Sequence, residues 1–139
     1  MNAKEYLSKA RYLDLRINSK IQQVASLNEL ATRCTSTLSD MPRSPNRATS
    51  TMADAIVKII DLENEINYDI DKLVDIKQSI STTIKAIPNT EHQVILEKRY
   101  LCFITWEQIA VDMNYSIQHI FRLHGQALKE IDRIFKHES

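Results

Sequence analysis

The chain has 139 residues, and its 18 Lys and Arg are balanced by 18 Asp and Glu, so the whole molecule gives no electrostatic sign of a nucleic-acid or membrane partner. Hydrophobic residues make up 43% and charged ones 26%, which suits a folded soluble domain, alone or with an extension. One Gly and three Pro are too few for the turns of a β protein, so the composition points to long helices.

The N-terminal stretch "MNAKEYLSKARYLDLR" carries no apolar run suited to a signal peptide, and no segment approaches the roughly 18 apolar residues of a membrane span. A cytoplasmic protein without a membrane partner is expected. Steps of alternating three and four residues from Ala3 land on Tyr6, Ala10, Leu13, Ile17, Lys20, Val24, Leu27, Ala31, Cys34 and Leu38. Only Lys20 interrupts the apolar seam, and a sustained 3.5-residue repeat predicts a coiled-coil helix.

Residues 39–51, "SDMPRSPNRATST", read as a connector because of their prolines and small polar residues. Thr51-Met-Ala-Asp54 fits a capping box that opens the next helix. The same count from Met52 then gives Ile56, Ile59, Glu63, Ile66, Ile70, Leu73, Lys77, Ile80, Ile84 and Ile87, broken only by Glu63 and Lys77. Residues 1–87 are therefore expected to form a long antiparallel helical hairpin with arms of about 50 Å, at 1.5 Å per residue.

Leu7, Leu15, Ile21 and Leu30 on one arm, and Val57, Ile60 and Val74 on the other, form a second apolar edge that needs cover. The reading favours a homodimer through the hairpin over a monomeric bundle. Lys20, Glu63 and Lys77 either set the register or reach water with their long stems; the second reading is preferred. Cys34 and Cys102 are far apart, have no ligand-spaced neighbour, and are read as reduced thiols.

Residues 88–139 are expected to form a three-helix domain. Pro88 ends the hairpin, and Asn89 or Thr90 caps a helix carrying Val94, Ile95, Leu96, Tyr100 and Leu101. Thr105-Trp-Glu-Gln108 is a second capping-box pattern, before a short helix whose inward face is Trp106, Ile109, Ala110 and Met113. Ala110 offers a small residue where the next helix crosses, Asn114 tolerates the positive φ of a tight turn, and Ser116 is a good N-cap. Ile120 and Leu123 then pack back, as in a helix-turn-helix. The last helix runs to about Lys136, with Ile120, Leu123, Ala127, Leu128, Ile131, Ile134 and Phe135 inward.

Its outer face holds Gln118, Arg122, Gly125 and Lys129. Arg122 and Gln118 suit guanine and adenine edges in a major groove, whereas Lys129 and the capping Ser116 suit phosphates. His119 is a further DNA-contact candidate. Gly125 fits either close approach of DNA or neutral drift at a tolerant site. Phe121 is expected to pack rather than to touch bases. The four His, at 92, 119, 124 and 137, match no metal template, and His92, His124 and His137 read as surface residues.

"ILEKRYLCFITWEQIAVDMNYSIQHIFRLHGQALKEI", residues 95–131, resembles the −35-reading domain, region 4, of bacterial sigma factors. The matches are Arg99-Tyr100, Trp106-Glu107-Gln108-Ile109-Ala110, Ser116, and Ala127-Leu128 with Ile131. The whole layout resembles small proteins of phages and integrative elements in Gram-positive bacteria, akin to autolysin-regulator-type phage transcription regulators. The resemblance implies sequence-specific binding of double-stranded DNA and control of transcription, with RNA polymerase as a partner.

Residues 88–139 carry six Lys and Arg against seven Asp and Glu, so this segment alone should hold phosphates weakly. Two other functions compete: a small terminase-like DNA-packaging protein, and an adaptor that binds protein without DNA. An enzyme is not expected, since no phosphate loop, activated nucleophile or carboxylate cluster stands out, and neither cofactor nor metal is expected.

Overall fold

The structure, a computed structural model, describes residues 1–40 and 45–138, and for residues 34–40, 45–50 and 138 it describes the backbone course alone. Among the described residues the fold is all-α, with five helices and no strand. These are α1 (Ala3–Asp40), α2 (Pro45–Lys85), α3 (Thr90–Leu96), α4 (Trp106–Met113) and α5 (Ile117–Glu138). A π-helical stretch, Glu97–Leu101, continues α3. No described helix is long and apolar enough to cross a membrane.

The first two helices run longer than expected. Helix α1 continues to Asp40 and α2 opens at Pro45, so Thr51–Asp54 lie inside α2 and form no cap there. Proline suits a first helical position, where the missing N–H has no intrahelical acceptor to lose. Residues 41–44 of the expected connector, and the side chains of seam positions Cys34 and Leu38, lie outside the described residues.

The chain divides into two compact units, Met1–Leu13 with Leu73–Ser139, and Asp14–Lys72. In the first, Ala3, Leu7 and Ala10 of α1 share one buried cluster with Ile80, Ile84, Ile87, Leu96, Tyr100, Ala127 and Ile131. Burial of each large aliphatic chain there contributes about 1.5–3 kcal/mol. Leu7 is therefore core and not part of an exposed edge. The Tyr6 hydroxyl bonds to Ser79, and the Ala3 N–H donates to Asp132 Oδ1 at 2.8 Å.

Among the described residues of the second unit, Ile17, Leu62, Ile66 and Asp69 are buried. This corrects the seam of α2: position 62 faces inward where 63 was expected, and 69 where 70 was expected. In the first unit Ile76 packs on the core. The change of phase replaces Glu63 and Lys77 by Leu62 and Ile76, which removes both charged interruptions. It also turns Asp69 inward, where Lys20 Nζ lies 2.6 Å from its Oδ2 and the two side chains are only 12% and 8% exposed. Lys20 thus meets a partner instead of reaching water. Loss of either member would leave a buried charge, which typically costs several kcal/mol.

The same shift turns Ile56 and Ile70 outward, joining Ile60. At 100° per residue these three fall within an arc of about 80°. Leu15, Ile21, Leu30, Val57 and Val74 are exposed as well.

Candidate nucleic-acid interface

The C-terminal helices are set by local caps. Asn89 Oδ1 accepts the His92 N–H at 3.1 Å and starts α3. After the π-helical stretch, the Cys102 N–H bonds to Glu97 O and the Ile104 N–H to Lys98 O, at 3.1 and 3.0 Å. Phe103 sits between them at φ 58°, a left-handed conformation uncommon for an aromatic residue. Thr105 Oγ1 then accepts the Gln108 N–H at 3.2 Å and opens α4. The expected capping box is only half made, because Gln108 Nε2 donates to Asp112 Oδ1 at 2.8 Å. That bond, reinforced by Lys98, holds the Asp112 carboxyl below its ordinary range.

The turn between α4 and α5 follows its residue types. Asn114 adopts φ 58°, ψ 44°. This lets the Asn114 and Tyr115 N–H groups close onto Val111 O and Ala110 O at 3.2 and 3.0 Å. The Tyr115 hydroxyl donates to the Glu91 carboxylate, which ties the turn to α3 and raises the Tyr115 phenol above its ordinary range. Ser116 Oγ accepts the His119 N–H at 3.2 Å. Ile120 and Leu123 pack with Ile95, Ile109 and Ala110 in a second buried cluster, where the small Ala110 lies among the larger side chains.

With that face buried, Gln118, Arg122 and Lys129 are exposed and Gly125 is half-buried. Ser116, His119 and Arg122 are linked: Arg122 Nη2 donates to His119 Nδ1 at 2.5 Å, and the His119 ring sits edge-on to Tyr115. Gln118, Gly125 and Lys129 share the face with Arg122 by spacing alone. A Cβ added at Gly125 meets no atom of the described residues within 4 Å, so none of them requires glycine there.

Two histidines depart from the expected surface placement. His92 is buried, with Nδ1 donating to Glu130 Oε1 at 2.6 Å, and among the described residues neither His92 Nε2 nor Glu130 Oε2 has a hydrogen-bond partner. His124 is half-buried between Tyr100 and Trp106. Burial holds its pKa at about 4, and the charges of Lys4 and Arg99 push the same way. The neutral ring accepts the Tyr100 O–H at Nε2, 2.6 Å away, while burial pushes the Tyr100 phenol up to about 12. Phe121 is 47% exposed and meets Trp106 edge-on, at 5.4 Å between ring centroids. The Arg99 guanidinium stacks on Trp106 at 4.6 Å. This aromatic-basic cluster draws on residues 99, 100, 106, 121 and 124, and the Arg-Tyr pair close to a Trp is its signal in the sequence.

No protein-family model, curated protein or solved structure matches the chain.

Proposed function

We propose that the protein is a sequence-specific DNA-binding transcription regulator of a phage or mobile element, which acts with RNA polymerase and is not an enzyme. Helices α4 and α5 form its helix-turn-helix, and α1 and α2 form an antiparallel hairpin through which two copies associate in the cytoplasm. The observation that carries the reading is the left-handed Asn114 between a buried Ala110 and a capping Ser116, with Gln118, Arg122 and Lys129 left exposed on α5. An exposed helix face bearing Arg, Gln and Lys suits base edges near its start and phosphate further along. The resemblance of residues 95–131 to sigma region 4 supports the same reading. The outward stripe of Ile56, Ile60 and Ile70 supports association through the hairpin.

A protein-only adaptor is the second reading, favoured by the exposure of Val111 at 72% and of Phe121 beside the basic face. Selection of bound duplexes from a random pool, with the mass of the complex measured alongside, separates these functions. A single recovered motif bound by a dimer is expected. Recovery of no motif, with polymerase retained as a partner, favours the adaptor. A ring-sized oligomer on DNA favours the packaging protein.

A further inference from the structure

We infer, resting on the DNA-binding reading, that Phe121 is a second specificity residue of α5. Its ring covers the 5-methyl group of a thymine beside the guanine contacted by Arg122.

The ring both packs and stays in reach of a ligand. It meets Trp106 edge-on at 5.4 Å between centroids, yet Phe121 is 47% exposed. Trp106 is a firm backing. It opens α4 behind the Thr105 cap, carries the Arg99 guanidinium on its face at 4.6 Å, and meets His124 at 4.6 Å. His124 is fixed in turn by the Tyr100 hydroxyl at its Nε2. A ring held from behind gives up little freedom when its outer edge is covered, so more of the contact is kept as affinity.

Position decides what covers that edge. Phe121 lies in the second turn of α5. At 100° per residue it stands about 40° from Gly125, about 60° from Gln118 and about 100° from Arg122. A helical side chain leans over the turn before it, and glycine has none to lean. The flank of the ring toward Gly125 therefore stays clear, and even a Cβ there meets no atom of the described residues within 4 Å. The other residues of α5 on the same arc are Lys129, Asp132 and Lys136, so the phenyl ring is the one apolar group on this stretch of the helix face. A protein-docking surface would need a wider apolar patch. Thymine suits this arrangement, because its major-groove edge presents one methyl group beside the acceptor O4. Phe is among the side chains that meet that methyl, as Arg is for guanine O6 and N7.

The test replaces each thymine of the selected duplex in turn by uracil, which removes the methyl group and leaves pairing and O4 intact. The full-length wild type should bind one such duplex about 3- to 10-fold more weakly, the factor expected for one methyl group no longer buried. In Phe121→Ala the same replacement should leave affinity unchanged. Each comparison is made within one protein, so a merely structural role for the ring would not move it. If Phe121→Ala fails to fold, Phe121→Leu, which keeps an apolar side chain beside Trp106, should show a smaller penalty than the wild type. No uracil penalty in the wild type, or an equal penalty in a folded variant, overturns the inference and leaves the DNA reading standing. Recovery of no selected motif removes both. A folded Phe121→Ala protein that keeps the penalty and loses RNA polymerase reassigns the ring to a protein partner.

Discussion

Gly125 lies in the middle of a 22-residue helix, where glycine costs about 1 kcal/mol relative to alanine. Because an added Cβ meets open space, Gly125→Ala should raise the unfolding free energy by about that amount. Specific DNA affinity should fall several-fold in the same variant, because a methyl group then stands where the duplex approaches. Paired melting and binding curves check this; a more stable variant with unchanged affinity would leave the glycine without a role in binding. His124 makes a second prediction at this scale. Its pKa is about 6.5 in the unfolded chain and about 4 in the folded one, so between those values the unfolded state binds the extra proton. Stability is complete above the upper value and falls as pH drops through the window. His124→Gln keeps an acceptor for Tyr100 and should flatten that pH dependence, measured by melts from roughly pH 7 to pH 4.5. An undiminished slope would place the titration on another group.

Among the elements, α2 separates packing from association. Leu73 packs on the core that α1 shares with α5, so Leu73→Asp should lower the melting temperature sharply through a buried, unpartnered charge. Ile60 is 51% exposed on the outward stripe, so Ile60→Asp should leave the melting temperature of the monomer nearly unchanged and weaken the dimer. Sedimentation equilibrium decides the second case, and a dimer of wild-type strength would show that the stripe is not the interface. The α2 register was only partly legible in the sequence. Ile59, Ile66, Leu73 and Ile80 serve either phase, and the choice between Leu62, Asp69 and Ile76 or Glu63, Ile70 and Lys77 depends partly on Lys20 of a different helix. The α4–α5 turn was legible because cap, left-handed residue and small crossing residue all act within a few positions. The outer face of α5 could be read from periodicity for the same reason. The cavity lined by Arg11, Arg99 and Phe103 could not, because its lining comes from residues 8–12 and 99–105.

Across the whole molecule, a formal charge of zero conceals a division. Residues 1–13 and 73–139 carry two more cations than acids, and residues 14–72 carry two fewer. The excess accompanies the helix proposed to read DNA, and the acidic balance accompanies the exposed isoleucine stripe proposed for self-association. Helix α5 is proposed to read base edges through Arg122, and the specificity ratio of the protein is the quantity that responds to that contact. Affinities for the selected site and for a random duplex, at one salt concentration, should be compared between the wild type and Arg122→Ala. The ratio should fall by about 10- to 100-fold, as expected for a base contact worth about 1–3 kcal/mol, while unfolding free energy changes by no more than about 0.5 kcal/mol. A folded Arg122→Ala protein that keeps the wild-type ratio would contradict the account.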